Sequence, residues 1–228
     1  MADPQAALRN FKPKHKFFVG IDSDGCVFDS MELKHKECFI PQIIKYWNLQ
    51  SISKYVREAA EFVNLYSKWR GANRFPVLVR TFDLLRERPE VIRRGTKIPD
   101  LTSLQAWIDS GVPQGNPALK EAVQKTNDPI LRQTLEWSEA VNRVIGEMVE
   151  EVPPFPYVRE VLEKLSPQAD MIVVSGTPGE ALKREWEENK IDHFAALIAG
   201  QEMGKKKEHL ELTTKGNYEP NHVLMIGD

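Results

Sequence analysis

An α/β fold, a parallel-sheet core interrupted by an all-helical insertion, is what this sequence predicts. Three observations carry that expectation. Short apolar runs at 17–21, 171–174, 195–199 and 223–226 have the length of strands, and the last three alternate with helical patterns, as in parallel sheets. Between the first run and the second lies a stretch of about 120 residues with helical spacing and no strand pattern, enough for a small domain of its own. Finally, the runs end in polar residues, Asp22 and Asp24, Ser175, and Asp228. The carboxyl ends of parallel strands share one edge, and in open α/β sheets ligands bind there.

The bulk numbers narrow the function classes. The 228 residues suffice for one large domain or two small ones. Lys plus Arg (31) and Asp plus Glu (33) nearly cancel, leaving a net charge of -2, which gives no general reason to expect nucleic acid or an anionic membrane as partner. Two cysteines, Cys26 and Cys38, are too few for a disulfide framework and lie outside any zinc spacing. Cys26 reads as a small half-buried filler. The opening MADPQAALRN has no signal-peptide core and no segment is long enough to span a bilayer, so the expected compartment is the cytoplasm.

Residues 1–15, with Pro4, Pro13 and the basic cluster Lys12, Lys14, His15 and Lys16, read as a loose, solvated lead-in. The run Phe17-Phe18-Val19-Gly20-Ile21 reads as a buried strand. Ile40, Ile43, Ile44 and Trp47 then recur at helical spacing, as do Tyr55, Ala59, Phe62, Val63 and Tyr66. Gly71, Asn73 and Pro76 break that pattern before a third helix through Leu78, Phe82 and Leu85. The stretch 89–117 is looser, punctuated by proline and glycine, with a short helix from Leu101 to Ile108 capped by Asp100 or Thr102. Asp128-Pro129 starts a long helix through Leu131, Leu135, Val141, Ile145 and Met148. Helices from Val158 to Leu165, from Leu182 to Glu188 and over 205–215 complete the C-terminal part. The expected boundaries are 1–30 with 151–228 for the core and 31–150 for the insertion.

The strand ends hold the chemistry. Two carboxylates two residues apart on a core strand are costly to bury unless a metal or a reaction offsets the cost. Gly25 permits the sharp departure that turns both acids toward one pocket. An Asx-rich turn after a strand is the plainer alternative. A serine hydroxyl and the N–H groups of Ser175-Gly176-Thr177 suit phosphate oxygens. Three carboxylates about one point suit a hard cation such as Mg2+. Taken singly, Ser175 also reads as an ordinary turn residue and Asp228 as a helix cap.

Asp22-x-Asp24-Gly-x-Val-Phe-Asp-Ser, MIVV followed by Ser175-Gly-Thr, a lysine-bearing segment, and VLMIG before Asp228 together resemble the haloacid dehalogenase-like (HAD) superfamily of hydrolases. The match covers 17–30 and most of 152–228; the insertion resembles the family's first-position helical cap only in placement. The resemblance implies a Rossmann-like core, Asp22 as the nucleophile that becomes an aspartyl phosphate, and Asp24 as general acid/base. It further implies Mg2+ held by Asp22, the Asp24 carbonyl and Asp228, with Ser175 on the transferring phosphoryl group. A lysine neutralises charge there. Lys205, Lys206 and Lys207 are consecutive, and Lys206 fits the family pattern best. An acid at position 24 favours phosphate chemistry, since a halide leaving group needs no proton. The family carries a further acidic residue beyond the equivalent of Asp228, so the core is expected to be truncated at its C-terminus, or its metal binding weakened.

The implied activity is a Mg2+-dependent phosphatase acting on a small phosphorylated metabolite, as a monomer or homodimer. Gly176 and Thr177 are further candidate substrate contacts. Arg70 and Arg74 read either as holders of a second anionic group or as surface arginines lying over aromatics. Trp107 and Trp137 read as core. Alternatives within the superfamily are a phosphosugar mutase and a C–P bond hydrolase, the latter requiring a Schiff-base lysine such as Lys34, Lys45 or Lys54. A catalytically silent phosphate-binding protein is the alternative from another class. The long insertion between Asp22 and Ser175 disfavours a receiver domain.

Overall fold

The structure, a computed structural model, describes residues 3–227. In chain order it runs α1 (Ala6–Arg9), β1 (Phe17–Ile21), α2 (Ser30–Leu33), α3 (Ile40–Tyr46), α4 (Ser53–Glu61) and α5 (Arg74–Glu87). Then come α6 (Pro89–Arg93), α7 (Thr102–Asp109), α8 (Asn116–Thr126), α9 (Pro129–Met148) and α10 (Val158–Leu165). The chain closes with β2 (Ala169–Val174), α11 (Gly179–Glu188), β3 (Leu197–Ala199), α12 (Lys206–Thr214) and β4 (Val223–Ile226). It divides into two compact units, one formed by residues up to Met31 and from Glu150 onward, the other by Glu32–Val149.

In the first unit four parallel strands lie in the order β3-β2-β1-β4. The chain steps outward from β1 to β3, then returns to the far side of β1. That reversal puts a topological switch beside the carboxyl end of β1, where such sheets bind ligands. All six residues of β2 are buried, as expected of a parallel strand covered on both faces. Gly20 on β1 admits α12 closely: a Cβ there would come within 2.9 Å of Leu210 Cδ2 and of Met225 Sδ. Val19, Ile21, Met171, Val173 and Trp186 form one core layer, and Phe18, Ile172 and Val174 another. Each such side chain, fully buried, contributes about 1.5–3 kcal/mol.

The second unit is helical throughout. Its core gathers Trp47, Phe82, Trp107 and Trp137, with Trp47 meeting Phe82 and Trp137 edge-on at 5.4 and 5.6 Å. Asp128 caps α9 by accepting from the N–H groups of Ile130 and Leu131. Asp100, not Thr102, supplies the cap of α7: its carboxylate accepts from Thr102 N and Oγ1.

Several expectations are corrected. The lead-in is docked: Leu8 is fully buried, and the N–H groups of Lys14 and His15 donate to Asp170 Oδ2, both at 2.9 Å. Phe17 is 43% exposed, its ring edge-on to His222. The loose stretch 89–117 contains α6 and the start of α8. The third strand spans only Leu197–Ala199: Ala195 N donates to Asp192 O at 3.0 Å, closing the turn before it, and Ala196 N donates to Met171 O on β2 at 2.7 Å. The stripe through Phe62 and Tyr66 fails, for both are exposed while Val63, Asn64 and Leu65 are buried. A π-helical segment, Phe62–Tyr66, follows α4 and shifts the register of the inward face.

Candidate active site

The first unit gathers the candidate residues at the carboxyl edge of its sheet. Asp22 N donates to Ile226 O at 2.9 Å, carrying the β1–β4 ladder one residue past the strand. This holds the Asp22 side chain in place, 3% exposed. Its Oδ1 accepts from Ser23 N at 2.9 Å, and its Oδ2 takes the ammonium of Lys206. A buried carboxylate is tolerable when paired and hydrogen-bonded, and Asp22 is both.

After Asp22 the chain folds back at once. Ser23 O accepts from the N–H groups of Cys26, Val27 and Phe28, and Gly25 takes the left-handed φ of 74° that this turn requires. Cys26 is half-buried. The turn presents Asp24, half-buried, with each carboxylate oxygen held by a hydroxyl. Thr177 Oγ1 donates to Oδ2 at 2.8 Å, and Ser30 Oγ donates to Oδ1.

Ser175, 2% exposed, follows β2, its N–H donating to Ala199 O at 3.0 Å. Its hydroxyl accepts from Thr177 N at 3.1 Å, closing a small turn in which Gly176 is exposed. The start of α11 is fixed by Glu202, whose Oε2 accepts from Gly179 N at 3.1 Å. Of the three lysines, Lys206 reaches Asp22. Lys205 is exposed and donates its N–H to Glu208, while the exposed Lys207 ammonium lies 3.6 Å from Glu211. Gly204, with φ 116°, precedes them, and a Cβ there would meet Gln5 Nε2 at 2.9 Å.

Arg70 and Arg74 lie in the helical unit. Arg74 donates to Ser138 O, Ser138 Oγ and Asn142 Oδ1 on α9 and sits 5.1 Å from the centre of the Phe39 ring. Burial lowers its pKa to about 10. These bonds make it a packing element of its own unit. Arg70 is half-buried and donates to Leu65 O at 3.3 Å.

Among the described residues no three His, Cys, Asp or Glu side chains cluster as metal ligands, and Asp228 lies outside the described residues. The two described carboxylates, Asp22 and Asp24, are nevertheless oxygen donors of the kind a hard cation takes. Gly227 lies against Asp22: a Cβ there would sit 3.3 Å from Asp22 Cβ and 3.5 Å from its Oδ2.

Sequence reasoning did not find Ser30 or Trp186, and it read Thr177 as a substrate contact only. Ser30 stands in the same VFDS segment as the acids, a signal that was available. Trp186, 163 residues from its partner Ser23, left none.

Residues 112–228 match the family described as haloacid dehalogenase-like hydrolase. None of the curated proteins matches the chain. Among solved structures, one from Haemophilus somnus, described as a predicted phosphoglycolate phosphatase, aligns with TM-score 0.51 and 19% identity over 95% of this chain and 79% of its own. The HAD-hydrolase YfnB from Bacillus subtilis, solved bound to magnesium, aligns with TM-score 0.51 and 13% identity over 94% and 79%. At such identities the likeness speaks for the fold.

Proposed function

Because the chain belongs to the haloacid dehalogenase-like hydrolases, we propose that it is a Mg2+-dependent phosphatase hydrolysing a small organic phosphate monoester through an aspartyl phosphate. The observation that carries this reading is the pairing of buried Asp22 with the Lys206 ammonium, beside an Asp24 whose two oxygens are held by Ser30 and Thr177.

Asp22 is the nucleophile. A carboxylate and a phosphate ester repel, and Lys206 lessens that repulsion at the oxygen it touches. Ser175 Oγ and the N–H group of the exposed Gly176 hold phosphoryl oxygens and orient phosphorus for attack. Asp24 protonates the departing alkoxide, then takes a proton from the water that cleaves the aspartyl phosphate. Ser30 and Thr177 fix the direction of that carboxylate through both steps. Mg2+, held by Asp22, the Asp24 carbonyl and Asp228, would add charge neutralisation at the phosphate. The helical insertion, residues 31–150, selects the substrate in this reading, with Arg70 as a candidate for a second anionic group. No helix among the described residues is long and apolar enough to cross a membrane.

The test is a phosphate-release screen over sugar, nucleotide and short-chain organic phosphates with Mg2+. Release from at least one monoester, abolished by Asp22→Asn, is expected. No release from any of them overturns the reading.

A further inference from the structure

The turn between the two acids is held from outside by one side chain that the mechanism does not use. Trp186, on α11, donates its indole Nε1–H to Ser23 Oγ at 3.1 Å, and both residues are 0% exposed. Ser23 stands between Asp22 and Asp24. Its N–H donates to the Asp22 carboxylate, and its carbonyl accepts the three N–H groups that close the turn. All of those bonds are local, made within the turn itself. The indole bond comes from another element altogether.

That element is also the one that carries the hydroxyl loop. α11 begins at Gly179, directly after Ser175-Gly176-Thr177-Pro178, and Trp186 lies seven residues into it. The loop and its helix therefore grip the acid turn at two points, Thr177 on Asp24 and Trp186 on Ser23. The Phe28 ring, at the far end of the turn, stands edge-on to Trp186 with centroids 6.2 Å apart, which fixes the indole plane. Gripped at one point, the turn can pivot about it; gripped at two, it is held in register with Ser175.

We propose that Trp186 is a positioning residue for the Asp22–Asp24 turn, acting through Ser23 Oγ to hold both carboxylates in register with the phosphate-binding loop. The proposal rests on the phosphatase reading above. Without the indole bond the Ser23 peptide is free to tilt, carrying both acids with it, while Ser175 and the loop N–H groups stay in place. Binding then survives and attack suffers, so kcat falls with KM nearly unchanged.

Trp186→Phe removes the donor, Ser23→Ala removes the acceptor, and the double variant removes both. With p-nitrophenyl phosphate and Mg2+, each single variant should lose about 10- to 100-fold in kcat, the scale on which small misplacements act. The double variant should be no worse than the poorer single one, because both delete the same bond. Wild-type kcat in Ser23→Ala, a rise in KM in place of the fall in kcat, or multiplicative losses overturn the proposal. Thermal melts confirm folding, and if Trp186→Phe does not fold, Ser23→Ala alone decides through its split between kcat and KM. A second readout needs no activity. In 15N-labelled protein the Trp186 indole N–H should exchange slowly, lose that protection in Ser23→Ala, and shift in Asp22→Asn. A wild-type protein that releases no phosphate refutes the phosphatase reading only. An indole resonance unmoved by both substitutions refutes the positioning role itself.

Discussion

The Lys206 ammonium closes on Oδ2 of Asp22, although 184 residues separate the two in sequence. Three consecutive lysines stand at the start of α12, and only the middle one turns inward. Lys206→Ala should therefore lower kcat by about 10²- to 10³-fold, the usual cost of removing a preorganised group that stabilises transition-state charge. Lys207→Ala, which loses an exposed ion pair with Glu211, should leave kcat unchanged and alter stability by less than about 1 kcal/mol. Equal losses in the two variants would remove Lys206 from the mechanism.

The acids differ in surroundings and should differ in phenotype. Asp22→Asn is expected to abolish turnover with folding intact, since an amide is no nucleophile and still accepts from Ser23 N. Asp24→Asn should cost about 10²- to 10⁴-fold, as for the loss of one acid/base group. Asp24→Asn should also accumulate phosphorylated protein when the leaving group departs unaided, because the water has lost its base. Rapid quench with 32P-labelled substrate checks this: label retained on Asp24→Asn and absent from Asp22→Asn.

A third carboxylate, Asp170, works far from this chemistry, at the start of β2. Burial pushes its pKa up, but hydrogen bonds from Tyr218, His15 and Lys14 outweigh that and hold it below the ordinary value. A carboxyl depressed in the folded state contributes stability above its unfolded pKa, near 3.9, and loses it as pH falls through the folded value. Asp170→Asn should thus destabilise the sheet unit by about 1–3 kcal/mol at pH 7, the cost of disturbing buried partners. The difference from wild type should shrink below about pH 3.9, where the native carboxyl is protonated too. Urea unfolding at pH 7 and pH 3 measures both; a gap undiminished at pH 3 would show that packing, not charge, is lost.

What the sequence reveals of all this follows from the range of each interaction. Strand β2 is legible because burial on both faces leaves a continuous apolar run, MIVV; β4 is legible from its run VLMI, although Leu224 and Ile226 are exposed. The site's acids, Ser175 and Lys206 are legible because each stands at a strand end or helix start. α8 is not, since Leu119 is its only buried residue and proline and glycine surround its start. The π-helical turn at Phe62–Tyr66 is invisible to a pattern read at 3.6 residues per turn, which is why two exposed aromatics appear inward. Thr177 on Asp24 and Trp186 on Ser23 are tertiary bonds between uncharged or ordinary turn residues, and no local spacing encodes them.

Two glycines give opposite predictions from the same substitution. Gly146 lies inside α9, and a Cβ added there would have nothing within 4 Å, so Gly146→Ala meets no obstacle. It should stabilise the helical unit by about 0.5–1 kcal/mol, through helix propensity and a less free unfolded chain, with kcat unchanged. Gly200, just past β3, faces the backbone of Gly179: a Cβ would come within 2.6 Å of Gly179 Cα. Backbone cannot rotate away as a side chain does, so Gly200→Ala must push the start of α11 outward. That start is where Glu202 caps Gly179, two residues beyond Thr177 and four beyond Ser175. The hydroxyl loop then leaves its register with Asp22 and Asp24, and a shift of about 1 Å costs on the order of 10²-fold in rate. Gly200→Ala should therefore lose activity more steeply than stability, and Gly146→Ala should gain stability without touching activity. Paired melts and phosphate-release assays decide it: a Gly200→Ala protein with wild-type kcat would mean that α11 does not set the position of the loop.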